Sequence, residues 1–152
     1  MSLSIRPATL GDIPALFAIR TAVRENHMTL AALAAAGVTP DSVAELLRSE
    51  DAATWIGLWD GEPAAFAMAR FDQGDVFALF VRPEMEGRGF GGRLLALAES
   101  WLASRGAESA WLLTGGEPGL KAARFYAARG WLVEGREPDG QLRFTKRLAA
   151  RS

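Results

Sequence analysis

Cysteine is absent from this sequence of 152 residues, and histidine and tyrosine occur once each, as His27 and Tyr126. Without cysteine there is no disulfide, no thiolate zinc site and no covalent cysteine intermediate. One histidine cannot build a multi-histidine centre, so no metal is expected. No apolar run approaches the roughly 20 residues that span a bilayer, so no membrane partner is expected either. The opening Met1-Ser-Leu-Ser-Ile-Arg-Pro7 lacks a basic n-region and an apolar h-region, which makes a cytoplasmic location the expectation. A formal net charge of −1 argues against nucleic acid as a partner, because phosphate-backbone binding draws on a basic field. Any anionic ligand has to be held locally.

What is present is ordinary globular composition, 49% hydrophobic and 23% charged, in a length that suits one domain over 1–152. Ser4–Ala8 reads as a strand, and Thr9 caps a helix with Asp12 in its first turn and Ile13, Leu16, Phe17, Arg20 and Val23 on one face. Thr29 opens a second helical piece that stops at Gly37, and Thr39-Pro40-Asp41 restarts it as far as Arg48. Ala53–Trp59, Pro63–Phe71 and Val76–Val81 form a meander turned at Asp60-Gly61 and Gln73-Gly74-Asp75. A helix follows with Leu94, Leu97, Ala98, Trp101 and Leu102 on one face, ended by Gly106. Ser109–Thr114 is then a strand reached by a helical crossover, hence parallel to its neighbour. Pro118 begins a helix carrying Ala122, Phe125, Tyr126 and Arg129. Trp131–Arg136 and Gln141–Arg147 close the chain around Asp139-Gly140. The order is β-α-α-β-β-β-α-β-α-β-β, a mixed α/β fold with a central mixed sheet flanked by helices.

The segment with the most chemistry is Asp75–Leu95, a buried strand, a proline-stopped loop, a glycine cluster and the start of a helix. That layout leaves backbone N–H groups converging at the positive end of a helix dipole, a cradle for phosphate. The string Gly87-Arg-Gly-Phe-Gly-Gly92 spells the dinucleotide fingerprint. However, five residues (Arg82–Glu86) separate it from the strand, and no ribose-binding acid stands near Thr114. The absence of Gly-Lys-Ser/Thr likewise excludes a P-loop.

Two strings agree better with another family. Val81-Arg-Pro83 followed by Glu86-Gly-Arg-Gly-Phe-Gly91, and Ala122-Ala-Arg-Phe-Tyr126-Ala-Ala-Arg-Gly-Trp131, occur in the order and spacing of the GCN5-related N-acetyltransferase family. The chain resembles that family over essentially its whole length. Two positions depart from it: Glu86 replaces a glutamine or arginine, and Gly119 replaces an asparagine that contacts the cofactor in many members.

The resemblance implies acyl transfer, usually of acetyl, from acetyl-CoA (coenzyme A) to a small-molecule or peptide amine by direct attack. Cofactor contacts would come from Arg88, Gly89, Phe90, Gly91, Gly92 and Arg93 in the cradle, from the main chain of Leu79, Phe80 and Val81, and from Phe125 and Tyr126. Tyr126 would donate to the departing thiolate, and Asp75 would take the amine proton through water. A turn aspartate is an equally good reading of Asp75. The segment that walls the acceptor pocket in this family holds Arg20, Arg24, Asn26 and His27. The two arginines suit either a carboxylate-bearing acceptor or plain surface solvation. Family members often dimerise, which makes a homodimer a candidate assembly. The alternative class is a non-catalytic domain that binds or senses acyl-CoA on the same scaffold.

Overall fold

The order of the strands decides where a ligand can enter. A computed structural model describes residues 2–24, 27–116 and 121–148. Its strands are β1 (Leu3–Pro7), β2 (Ala52–Trp59), β3 (Glu62–Arg70), β4 (Asp75–Val81), β5 (Ser109–Thr114), β6 (Leu132–Arg136) and β7 (Leu142–Arg147). They form one sheet in the order β1-β2-β3-β4-β5-β7-β6. All neighbours are antiparallel except β4 and β5, which run parallel. The helices are α1 (Ile13–Ala22), α2 (Leu30–Ala35), α3 (Pro40–Arg48), α4 (Phe90–Ser104) and α5 (Lys121–Ala128). The region between the first two strands thus holds three helices rather than two. The break comes where Gly37, with φ +87°, ends α2 and Thr39 caps α3 through the Ser42 amide.

Local chemistry fixes most boundaries. Thr9 and Asp12 close a capping box on a short 3-10 turn, and Arg6 clamps the Asp12 carboxylate at 2.7 and 3.0 Å. That guanidinium holds the Asp12 carboxyl down at about 2. Asp60 and Gly61 both take positive φ, +50° and +85°, the geometry a two-residue hairpin turn requires. Pro118, where the sequence places the start of α5, lies outside the described residues.

Two layers of helices cover the sheet. On one face Leu16, Ile19 and Val43 from α1 and α3 pack on Ile56, Phe66 and Met68. On the other, α4 buries Phe90, Leu94, Leu95, Ala98 and Leu102. Leu95 therefore takes the place expected of Leu97, which is 37% exposed, because the buried stripe runs through Phe90, Leu94 and Ala98 and is widened on the side of Leu95. Trp131, 1% exposed, ties this layer to β7: its indole donates to Glu99 at 3.1 Å, and Lys146 pairs with the same carboxylate at 2.6 Å.

Gly57 in β2 lets α4 approach the sheet. A Cβ there would lie 2.7 Å from Phe90 Cδ1, and the Phe90 ring, 1% exposed and edge-on to Trp59, cannot retreat. Gly57→Ala is expected to cost roughly 1–3 kcal/mol as overpacking, measured by denaturant titration. A stability equal to that of the parent chain would show that α4 shifts freely.

Candidate functional site

Past one residue pair the sheet opens. β4 and β5 are in register only at Asp75 and Trp111, where the Trp111 amide donates to the Gly74 carbonyl at 3.1 Å. Beyond it, β4 keeps β3 on one side, through pairs from Met68↔Ala78 to Ala65↔Val81. On the other side it has no ladder. The Arg82 amide donates to Ala64 O at 2.9 Å. Alternation along an antiparallel pair then turns the Phe80 amide toward β3 and those of Leu79 and Val81 into the opening. Of the three residues expected to offer main-chain groups, Leu79 and Val81 turn their amides into the opening, whereas Phe80 bonds toward β3 and turns its side chain to the opposite layer.

The glycine loop stands at the C-terminal end of β4, beside this opening. Gly87 and Gly89 have φ of +78° and +92°, and Gly89 is the N-cap of α4. The Arg93 amide bonds back to the Gly89 carbonyl at 3.3 Å, which leaves the amides of Phe90, Gly91 and Gly92 without helical partners. Only the amide of Phe90 faces this end of the helix, its ring being core. Gly91 and Gly92 have a second reason to be glycine: a Cβ at 91 would meet the Phe125 ring at 3.1 Å, and one at 92 would meet Arg129 Nη2 at 3.2 Å.

Cations surround this helix end. Arg88 lies 4.5 Å over the Trp59 ring, Arg93 is in the first turn, and Arg129 stacks 3.8 Å over Phe125. No acid occupies the first turn of α4. Positive side chains at the positive end of a helix repel it unless an anion sits among them. Glu86, in the loop before the helix, is paired by Lys121 at 3.2 Å. Lys121 stands 35 positions away in the sequence, beyond the reach of any local pattern. Arg129 was also missed, although it lies inside the second signature string.

Tyr126 is buried on the α4/α5 face, with ring centroids of Phe125, Trp131 and Phe144 at 5.2, 6.1 and 5.8 Å. Burial pushes its phenol pKa up, so it is a proton donor throughout the neutral range.

On the opposite face a cavity of about 560 Å³ lies between α1–α3, the strands β3–β5 and the turn before β7. Among the described residues, its lining is apolar except for Arg20, Arg70, Asp75, Asp139 and Gln141. Asp75, 2% exposed, faces Arg70 across the Gly74 turn and is held by it in a fork, Nε to Oδ1 at 2.9 Å and Nη2 to Oδ2 at 2.6 Å. A bulge opposite Met68/Ala69 makes Phe77 an additional residue on β4, and Arg70 stacks on that ring at 4.1 Å.

The residues expected at the acceptor site separate. Arg20 lines the cavity, 8% exposed, with its guanidinium 4.2 Å over Phe80. Arg24 is exposed and does not line the cavity. His27 is exposed and its Nδ1 lies 3.0 Å from the Val23 carbonyl, a partner for the end of α1. Asn26 and Gly119 lie outside the described residues. Among the described residues no cluster of three or more His, Asp or Glu could hold a metal, and no helix is long and apolar enough to cross a membrane.

Comparison with solved structures finds the same fold. PaiA N-acetyltransferase from Thermoplasma acidophilum, solved in complex with coenzyme A, superposes with a TM-score of 0.80 at 16% identity, over 97% of this chain and 99% of that one. A GCN5-related N-acetyltransferase from Rhodopseudomonas palustris gives 0.75 at 24%, over 97% of each chain. The ribosomal-protein-S18-alanine N-acetyltransferase of Escherichia coli gives 0.74 at 17%, over 99% and 97%. None of the curated proteins matches the chain in sequence. The family model for the acetyltransferase (GNAT) family matches residues 21–131, a span that takes in the open sheet, the glycine loop and the Tyr126 helix, and the chain belongs to that family.

Proposed function

We propose that the protein is an acetyl-CoA-dependent N-acetyltransferase that lets a primary amine attack the thioester directly in a ternary complex. The observation that carries this is the start of α4. Three amides without helical partners, no acid in the first turn and a ring of cations stand beside an opening in the sheet. A pyrophosphate suits the first and an extended pantetheine arm the second. Arg129 joins Arg88 and Arg93 as a candidate phosphate contact.

Acetyl-CoA supplies an activated acyl group. Outward amides of Leu79 and Val81 are candidates to hold the arm and to meet the oxyanion that develops at the carbonyl. Tyr126 donates toward the departing thiolate. Even from a phenol at its ordinary value near 10, full transfer to a thiolate whose acid is near 8.5 is uphill by roughly 2 kcal/mol, and burial raises the Tyr126 phenol further, so a hydrogen bond suffices as its contribution. An alkyl amine near 10.4 must also lose a proton, at about 4–5 kcal/mol at neutral pH. Asp75 lines the cavity and keeps lone pairs beyond the two that Arg70 uses, which supports it as the acceptor through water.

Incubation with acetyl-CoA and a panel of amines, followed by free thiol, tests the reading. Amine-dependent thiol release is expected. Coenzyme A binding without release for any amine would favour the binding or sensing domain. Failure to bind coenzyme A at millimolar concentration would overturn both.

Glu86 offers a quantitative check. Glu86→Gln removes a carboxylate beside the cradle. Calorimetric titration with coenzyme A is expected to show about two- to fivefold tighter binding at low salt, fading at about 0.5 M salt. Weaker binding would place Glu86 among the ligand contacts.

A further inference from the structure

The turn between β6 and β7 brings a carboxylate to the opening in the sheet. Counting along β4 from the Asp75↔Trp111 pair, with Phe77 as the bulged residue, Leu79 falls level with Thr114 on β5. Thr114 pairs in turn with Leu142. The start of β7 and the turn before it therefore stand at the level of Leu79 to Val81, whose amides point into the opening. Asp75 lies about 10 Å back from Leu79 at the usual rise of a strand, a gap that water has to bridge.

The turn is tied to that place. Arg136 donates to the Gly116 carbonyl at 3.0 Å and to the Gly140 carbonyl at 2.7 Å, a strap between the end of β5 and the turn. Gly116 permits the contact, because a Cβ there would collide with the Gly140 carbonyl. Asp139, the next residue back in the turn, lines the cavity. Its Oδ1 accepts from the Gln141 amide at 3.0 Å and its Oδ2 from Gln141 Nε2 at 2.8 Å. Both donors are uncharged, so the carboxylate keeps its negative charge, and their bonds hold its pKa below the usual range. Among the described residues no cation pairs with it, since Arg136 is spent on the two carbonyls. Each oxygen keeps a lone pair for a further donor.

The rest of the cavity suits an apolar body. Met68, Phe77, Phe80, Trp111 and Leu113 line it, and its volume of about 560 Å³ falls in the range of sites that enclose small ligands. The cations in its wall are already engaged, Arg70 by Asp75 and Arg20 on the face of Phe80. A ligand that uses both the turn and the cavity carries one cationic nitrogen beside an apolar body. That body shields the ion pair on one side, so the pair is worth more than one fully exposed to water.

We infer, on the basis of the acetyl-transfer reading above, that Asp139 binds the ammonium of the acceptor at the sheet opening. The acceptor is a small primary amine with an arylalkyl or branched alkyl body seated in the cavity, and Asp139 is the specificity-determining residue that reads its charge.

The test compares phenethylamine and isoamylamine with their neutral counterparts, 2-phenylethanol and isoamyl alcohol, and with spermidine. Calorimetry without acetyl-CoA gives binding, and thiol release with it gives kcat and KM. At least one amine is expected to bind about fivefold more tightly than its alcohol, with spermidine weaker than that amine. Asp139→Asn, which keeps an oxygen for the Gln141 amide, should bring the ratio within about twofold and raise KM for the amine by a similar factor. The melting temperature and the affinity for coenzyme A should stay as in the parent chain. Salt at about 0.5 M should shrink the parent ratio without weakening the alcohol, which reads the same charge with no variant. Failure of both amines to bind, spermidine as the tightest ligand, or a ratio unchanged in Asp139→Asn overturns the inference, and thiol release alongside any of these leaves acetyl transfer standing. An amine preference that is lost in Asp139→Asn, with no thiol released from any amine, supports the inference as a binding site and overturns acetyl transfer.

Discussion

Tyr126→Phe is expected to lower kcat by about 10²-fold, the lower end of what a positioned proton donor contributes. The affinity for acetyl-CoA should change by less than about twofold. Only one oxygen is removed, and the ring keeps its packing against Phe125, Trp131 and Phe144, so the melting temperature should not fall. The raised phenol pKa adds a pH signature with a definite sign. The ordinary value is 10.0, so unfolded and folded chains are both protonated below it, and the tyrosine is neutral to stability there. Above about pH 10 the unfolded chain loses a proton that the buried phenol retains, so stability declines with rising pH. Turnover in the parent chain should accordingly show no loss from tyrosine ionisation up to that pH. Unchanged kcat in Tyr126→Phe would remove the phenol from the mechanism.

The second large effect falls on the Arg70–Asp75 pair. Asp75→Asn takes the charge from a buried fork and leaves a guanidinium partly enclosed beside Phe77. Breaking such a pair from one side costs about 3 kcal/mol, measured by denaturant titration. Any loss of activity in the single variant therefore mixes folding with chemistry. Arg70→Met combined with Asp75→Asn separates them, because the orphaned charge is gone and most of the stability should return. If Asp75 takes the amine proton, activity in the double variant stays low at neutral pH. It recovers as pH approaches the amine's own pKa, where deprotonated acceptor is plentiful. A double variant with parental turnover at pH 7 would make Asp75 a tie between strands and nothing more.

The pair also shows what the sequence could reveal. Asp60-Gly61, Thr39-Pro40 and the glycine loop announce themselves, because turn dihedrals and helix starts admit few residue types. Arg20 was legible in a different sense: it falls in phase with Leu16 and Val23 on the apolar side of α1, although a charged side chain invites assignment to the surface. Arg70 opposite Asp75 follows from the hairpin register around Gly74, but only once the turn length is known. Lys121 on Glu86 and Arg129 over Gly92 were not legible. Each joins segments that meet only after α5 docks against the start of α4, and no local periodicity encodes that approach. The exchange of Leu97 for Leu95 has a similar cause: two apolar neighbours compete for the core, and the sheet beneath decides between them.

The single register pair between β4 and β5 has a thermodynamic consequence. Every strand from the first 81 residues lies on one side of it and every strand from the remainder on the other. Lateral cooperativity between the two halves passes through Asp75, Trp111 and the packing of α4, which touches β2, β3, β4 and β5. The two halves are therefore joined by packing more than by strand pairing: one buried cluster takes in Ala69 and Val76 from the first and Ala110, Leu112 and Phe144 from the second. A ligand that fills the space between them supplies the missing lateral bonds as well as occupying a site. Its binding free energy then adds directly to the coupling of the two halves. Saturation with such a ligand is expected to raise the temperature at which the joined halves melt.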